Sequence, residues 1–468
     1  MLLHNTPIFY SALVTIECET PLSVKADESD LTIDSRIVRD VNGYPTIPGT
    51  SIAGVLRSVA RECLADDKTL FGAAGEEDLP SQIQVSFGFI HNAKNQPIVG
   101  LLSEEQRNTQ NKVETLLKDL MPILRDQVAL NEYGAAKGRA KMDRTAVPKG
   151  TRFSFELNWA NDQRDDNQWH KILAWLYHPQ FRLGGLTRRG FGKVKIASIK
   201  QKVYNFADPE DLKNWQHNRQ LDFNAQNGKD ITSEFKQSEI SNFLEFSLDL
   251  EAEDFWRIGQ GDKAIEDEKG KDFDKEPDLK PYTETVIEWS NNQACLKRQR
   301  VVIPASGIKG ALRHRTLFHY RRLKNVFFEQ EGKAPRITDV ELAALFGTTE
   351  GKGQVGKLIL DDIYIAETLP TKVMMHNKID RFTGGTIDGA LFSEQLLYGG
   401  GFQLKGLIKQ DNQPKELLQA FRLALLDLAQ GRLALGGGST KGHGYFQANA
   451  INLTELEQAT QHIEEKTA

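Results

Sequence analysis

Apolar and polar residues alternate along FYSALVTIE (Phe9–Glu17) and again along FLEFSLDLE (Phe243–Glu251). That period of two predicts strands with one face in a core. Downstream of the first, Ile52, Val55, Leu56, Val59 and Cys63 recur at helical spacing, and Thr50 or Ser51 stands where it can cap the helix. Ile308, Ala311 and Leu312 repeat the stripe in the second half. HKILAWLYH (170–178) and LQAFRLALLDLAQ (418–430) predict two more helices. Each leads into a glycine-rich stretch, GGLTRRGFG (Gly184–Gly192) or GGGSTKGHG (Gly436–Gly444), and then into a short strand, KVKIA or YFQAN.

These elements come in the same order twice. IPGTSIAGVLR (Ile47–Arg57) returns as IPASGIKGALR (Ile303–Arg313), and LFG follows each, at Leu70 and Leu345. KMDRT at Lys141 is answered by KIDRFTG at Lys378, and RLGGLTRRGFGKVKI from Arg182 by RLALGGGSTKGHGYFQA from Arg432. The offset of roughly 250 residues is about one domain. The repeat implies a first domain over 1–197, a polar linker over 198–242 and a second domain over 243–468. An acidic insertion at about 254–285 reads as a solvated loop of the second domain.

Composition narrows the class. Apolar residues make up 39% and charged residues 26% of the 468, the balance of a globular chain. No apolar run reaches the roughly 18 residues of a membrane helix. MLLHNTPIFYSALVTIE lacks the charged start and cleavage site of a signal peptide, so a cytoplasmic location without membrane contact is expected. Cys18, Cys63 and Cys295 are too scattered for a disulfide framework or a zinc site and read as buried thiols. The net charge of −5 looks unfavourable for nucleic acid. Yet Asp249–Pro281 alone holds twelve acidic and six basic residues, so the rest of the chain is close to neutral. A locally basic groove remains compatible with a phosphate backbone.

Arg57 and Arg61 in the first helix, and Lys309 and Arg313 in its repeat, fall on the polar face at i, i+4. Beside a Ser/Thr-Gly turn (Ser51, Ser306) at a helix start, they suggest phosphate binding rather than a merely solvated face. Glycines in the two rich loops permit close backbone approach to a phosphate, and Arg188, Arg189 and Lys441 add charge. Lys441 is followed by Gly442 instead of Ser or Thr, so no Walker A loop is present. The order helix, loop, strand is the reverse of a dinucleotide fingerprint. A tight glycine hairpin without ligand is the competing reading.

Taken together, IPGTSIAGVLR, MDRTAVPKG and GGLTRRGFG in one half, with IPASGIKGALR, IDRFTGGTIDGALFSEQLLYGGGFQLKG and GGGSTKGHG in the other, resemble the RAMP proteins, the repeat-associated subunits of CRISPR ribonucleoproteins. The likeness is greatest to backbone subunits of type III effector complexes, here as a tandem fusion. It implies an α+β chain of two ferredoxin-like (RRM-like) domains, each with a glycine-rich loop and a thumb hairpin. The partners it implies are guide crRNA, target RNA, other RAMP backbone subunits, a large polymerase-like subunit and a small subunit.

The resemblance also implies RNA contacts at Ser51, Arg57, Arg61, Arg144, Gly184, Gly185, Arg188, Arg189, Ser306, Lys309, Arg313, Arg381, Gly437, Lys441 and His443. In TIDSRIVRDVNGYPTIPGTS, Asp34 takes the place of the family's target-cleaving aspartate, with Asp27 and Asp30 in reserve in the same loop. In the second half Glu288 or Asp262 stands nearest the equivalent place. A carboxylate there could take the proton from a 2′-OH, with Mg²⁺ or Mn²⁺ held weakly on oxygen ligands and no organic cofactor. Two alternatives stay open: a structural RNA-binding subunit, or a guide-processing endonuclease using a histidine such as His443.

Overall fold

The computed structural model describes residues 6–26, 34–64, 67–73, 79–130, 136–218, 228–235, 242–266, 276–326, 339–348, 353–411 and 413–461. The first copy runs β1 (Ile8–Cys18), α1 (Gly49–Cys63), α2 (Lys68–Phe71), β2 (Ile83–Val85), β3 (Phe89–Ile90), α3 (Glu104–Arg107) and α4 (Lys112–Lys118). It continues through β4 (Ile123–Leu130), β5 (Ala136–Ala146), β6 (Arg152–Asn161), α5 (Asp166–Ala174), β7 (Val194–Asn205), α6 (Pro209–Asn218) and β8 (Lys229–Asp230). Its sheet has the order β2-β6-β1-β7-β8, antiparallel throughout. Strands β1, β2, β6 and β7 with helices α1 and α5 make the βαββαβ ferredoxin-like arrangement. The alternation of β1 buries Tyr10, Ala12, Val14 and Ile16 against Ile52, Leu56 and Val59 of α1.

The second copy repeats it: β9 (Phe243–Ala252), β10 (Phe255–Trp256), β11 (Thr283–Ser290), β12 (Gln293–Ile303), α7 (Ala305–Leu323) and α8 (Asp339–Phe346). Then come β13 (Leu358–Leu360), β14 (Ile363–Tyr364), β15 (Thr371–His376), β16 (Phe392–Tyr398), β17 (Gly401–Lys409), α9 (Lys415–Ala429), β18 (Phe446–Asn452) and α10 (Thr454–Thr460). The sheet order β13-β17-β9-β18 matches that of β2, β6, β1 and β7. In each copy a hairpin, β4–β5 or β15–β16, is inserted between the second and third sheet strands. Both LFG tripeptides end a helix, with Gly72 and Gly347 at φ +75° and +82°, the left-handed conformation that favours glycine.

Several expectations change. Residues 198–242 are no plain linker. β7 continues through Asn205 beside β1, and Ile231 and Phe235 join the first copy's core. Of the acidic stretch, β10 pairs with β16 and β11 opens a long hairpin; 267–275 lie outside the described residues. Neither Thr50 nor Ser51 caps α1, because the helix begins after Pro48 with Gly49 pressed on the Val85 carbonyl. Cys18 is buried, but Cys63 and Cys295 are exposed. KMDRT lies on strand β5, whereas KIDRFTG lies in the 377–391 connection of the other hairpin, so those two motifs are not structural equivalents.

The two copies share a seam. The β11–β12 hairpin reaches into the first copy, where Ile287 joins its core and its N–H donates to the Lys149 carbonyl at 2.9 Å. Trp289 Nε1 donates to the Gly150 carbonyl at 2.7 Å, with the Arg152 guanidinium 4.2 Å from the ring centre. Deeper in, Arg125 of β4 is buried between Glu284 and Asp362 of the second copy. Among the described residues no helix is long and apolar enough to cross a membrane.

Candidate RNA interface

Each glycine-rich loop joins the second helix of the βαββαβ core, α5 or α9, to that core's last strand, β7 or β18. Its end glycines have steric reasons: a Cβ at Gly184 or Gly436 would strike the Ser23 or Arg257 carbonyl, and one at Gly192 or Gly444 the Leu183 or Leu435 carbonyl. All four have positive φ. The second glycine differs. A Cβ on Gly185 would sit 2.7 Å from the Arg144 guanidinium, and one on Gly437 2.8 Å from that of Arg257. Both loops thus carry a guanidinium over the same glycine, delivered by β5 in the first copy and by the segment after β10 in the second.

Around the first loop, cations crowd. Burial, then the charge of Arg189, lowers the Arg144 pKa, and burial with the charge of Arg182 brings Arg188 down to about 10. Arg189 is exposed. Arg182 is paired with Asp361 of the second copy and Arg188 feels Glu62, whereas the guanidiniums of Arg144 and Arg189 act on each other, an arrangement that favours an anion between those two. In the second loop Lys441 lies 3.8 Å from Glu394 and 4.5 Å from the centre of the Phe392 ring. Glu394, only 1% exposed, accepts from Arg257 Nε at 2.8 Å and lies 3.2 Å from His376 Nε2. Burial would raise its pKa, but Arg257, Lys441 and His376 outweigh that and hold it below the usual carboxylate range. His443 is buried beside Gly438 and stands 6.5 Å from the Phe255 ring, a packing position.

Other expected contacts are spent inside the protein. Arg57 binds Asp67 and the Gly72 carbonyl, and Arg61 reaches the same Asp67 at 3.2 Å. Lys309 is buried, with Nζ donating to the carbonyls of Arg188 at 3.1 Å and Leu358 at 3.2 Å. The start of α7 already has an anion, since Asp362 Oδ1 accepts from the Ala305 N–H at 2.8 Å beneath Gly190. The first copy's loop therefore closes over that helix start, and a phosphate there is displaced by the protein's own carboxylate. Ser51 and Ser306 are partly exposed in the first turns of α1 and α7, Arg313 is partly exposed on α7, and Arg381 is exposed in the 377–391 connection.

Asp34 is exposed at the base of the β4–β5 hairpin. Its N–H donates to Asp143 Oδ1 at 2.7 Å and its Oδ2 accepts from the Asp143 N–H at 3.0 Å, while Thr145 N–H donates to the Ser35 carbonyl at 3.0 Å. Asp27 and Asp30 lie outside the described residues. Glu288 is on the seam hairpin, paired with Arg300 at 2.8 Å, and Asp262 is in a loop where its carbonyl accepts from Lys280. Neither takes the place corresponding to Asp34. Asp278 does: its N–H donates to Ser393 Oγ at 3.1 Å and its Oδ2 accepts from the Ser393 N–H at 2.7 Å. The reading from sequence missed it because the β11–β12 hairpin intervenes before α7. The signal for that hairpin was Asn291-Asn292 between two apolar-rich runs.

A family model for the RAMP superfamily matches residues 15–195 and 293–447. The chain belongs to the RAMP superfamily. Both matched regions fall on the two ferredoxin-like copies, so this is a duplicated RAMP protein, and RNA within a CRISPR-associated assembly is its general partner. No curated protein matches the chain.

Proposed function

We propose that this RAMP protein is a guide-RNA-holding backbone subunit of a type III effector complex that also cuts guide-paired target RNA. The observation that carries the reading is Asp34, solvent-facing and pinned by reciprocal hydrogen bonds to the hairpin strand that leads, one residue on, to Arg144 over the glycine loop. The guanidiniums of Arg144 and Arg189 hold backbone phosphate, largely without regard to base, and the guide's own pairing supplies sequence specificity.

With the target splayed at the hairpin, the Asp34 carboxylate takes the proton of a ribose 2′-OH. The 2′-oxygen attacks the adjacent phosphorus, the P–O5′ bond breaks, and the products are a 2′,3′-cyclic phosphate and a 5′-OH. Among the described residues no group of three or more His, Cys, Asp or Glu side chains converges as a metal site. The carboxylates of Asp34 and Asp143 fit a weakly held Mg²⁺ or Mn²⁺ whose remaining ligands come from RNA and water. Such an ion would offset charge on the phosphate.

The test is cleavage-site mapping on complementary target RNA with the reconstituted complex, wild type against Asp34→Ala. Loss of one discrete cut, with guide binding kept, supports the reading. A cut at this position undiminished by the substitution removes Asp34 from the chemistry. No cut traceable to this chain at all would leave a purely structural backbone subunit.

A further inference from the structure

The register of the two hairpins aligns the copies residue by residue, independently of sequence likeness. Leu22 bridges Val147 in the first copy, and Trp256 pairs with Leu397 in the second. The next residues, Ser23 and Arg257, present their carbonyls to the first glycine of the respective loops. Counting back four from Val147 and from Leu397 reaches Asp143 and Ser393. Each of these binds one aspartate through both its backbone N–H and its side chain: Asp34 in the first copy, Asp278 in the second. The neighbouring rungs agree, since Thr145 N–H donates to Ser35 while Gln395 N–H donates to Leu279, 2.9 Å away.

We infer that Asp278 is a second cutting residue, so that this one chain makes two scissions in a guide-paired RNA strand. The inference rests on the proposed role of Asp34. Asp278 is exposed at the base of its hairpin, on the same chain path, and Ser393, which holds it, directly precedes Glu394, the partner of Arg257 over the glycine loop. Its carboxylate accepts the 2′-OH proton as the 2′-oxygen bonds to phosphorus. The 5′-oxygen leaves and takes up a proton from water, and the proton on Asp278 returns to solvent. No electrons change hands.

The two places differ in two respects. The residue after the one that binds the aspartate is Arg144 in the first and Glu394, paired with Arg257, in the second. Asp34 is backed by a second carboxylate, Asp143, whereas Asp278 is backed by the Ser393 hydroxyl, which donates to its Oδ2 at 3.0 Å.

The experiment uses the reconstituted complex, guide RNA and end-labelled complementary target, comparing wild type, Asp34→Ala, Asp278→Ala, Asp278→Asn and the Asp34→Ala/Asp278→Ala double variant. Guide binding is measured alongside, and the exposed Asp278 site makes folding defects readable there. Two cuts are expected from this chain, one lowered about 100-fold or more in each single variant and both in the double variant, the range for loss of a positioned base. Asp278→Asn should behave as Asp278→Ala. If Asp34→Ala removes a cut while both Asp278 variants leave the pattern unchanged, the second site is overturned and the proposed function stands. If Asp34→Ala removes nothing, the reading of the first site fails on its own account.

Discussion

At the scale of single residues, charge alone does not separate RNA ligands from structural ions. Arg57 and Arg189 are both arginines in motifs that point to phosphate, but the structure gives them opposite situations. Arg57 is half-buried and tied to Asp67 and the Gly72 carbonyl, holding the end of α2 against α1. Arg189 is exposed beside Arg144 on the glycine loop. Arg57→Ala should therefore lower stability by about 1–2 kcal/mol in a urea titration, because it removes the bonds to the Gly72 carbonyl and to Asp67 and leaves that carboxylate to Arg61 alone, and leave the salt dependence of guide binding unchanged. Arg189→Ala should leave stability unaltered within about 0.5 kcal/mol and reduce the slope of log affinity against log salt by about one. Equal slopes for the two variants would show that the loop does not meet phosphate through Arg189. Asp34, Arg144 and the glycine loops were legible as motifs. What sequence did not disclose is which cations are consumed internally: the Arg57–Asp67 pair needs α2 set against the end of α1, and the carbonyl pair for Lys309 depends on chain segments meeting across the fold.

At the scale of elements, alternation and helical stripes sufficed for the sheet strands β1 and β9 and for helices α1, α5, α7 and α9. The β11–β12 hairpin escaped because its pattern is partial: Ile287 is buried and Trp289 half-buried, yet both are covered by the other copy instead of their own. Hydrophobic pattern reports that a face is buried and not by what. The turn is nonetheless written in the chain, as Asn291 and Asn292 take φ +49° and +60°, the left-handed pair of a two-residue hairpin turn. Since Ile287 lies in the first copy's core, Ile287→Ala should destabilise that copy, by about 2–4 kcal/mol for a buried Ile truncated to Ala. Hydrogen exchange should show the loss in β6 around Arg152 and Phe153, far away in sequence, before it shows in β9. Faster exchange confined to the second copy would mean that the hairpin is only laid on the surface.

For the whole molecule, the consequence is that two domains of one superfamily behave as a single body, and the seam between them should respond to pH in a way neither copy would alone. Two buried groups there have displaced pKa values. Burial, then the charge of Glu284, raises Asp362 to about 6 despite Arg125, and burial with the charges of Arg188 and Arg189 lowers Lys309 to about 7 from 10.5. For Asp362 the folded state holds the extra proton between the unfolded value of 3.8 and about 6, so its effect is to reduce stability as pH rises through that window, and it is complete by neutrality. For Lys309 the order is reversed. Between about 7 and 10.5 the unfolded chain binds the proton and the folded chain does not, so stability rises with pH across that interval. The two windows do not overlap, which isolates the lysine. Wild type compared with Lys309→Met should therefore gain on the order of 1–3 kcal/mol relative to the variant between pH 7 and pH 9.5, with the whole chain unfolding in one transition. Subtracting the variant cancels the tyrosines and cysteines that titrate at the alkaline end, because both proteins carry them. A difference that stays flat with pH would mean that Lys309 remains charged in the seam, and its carbonyl contacts to Arg188 and Leu358 would then be those of an ammonium that water still reaches.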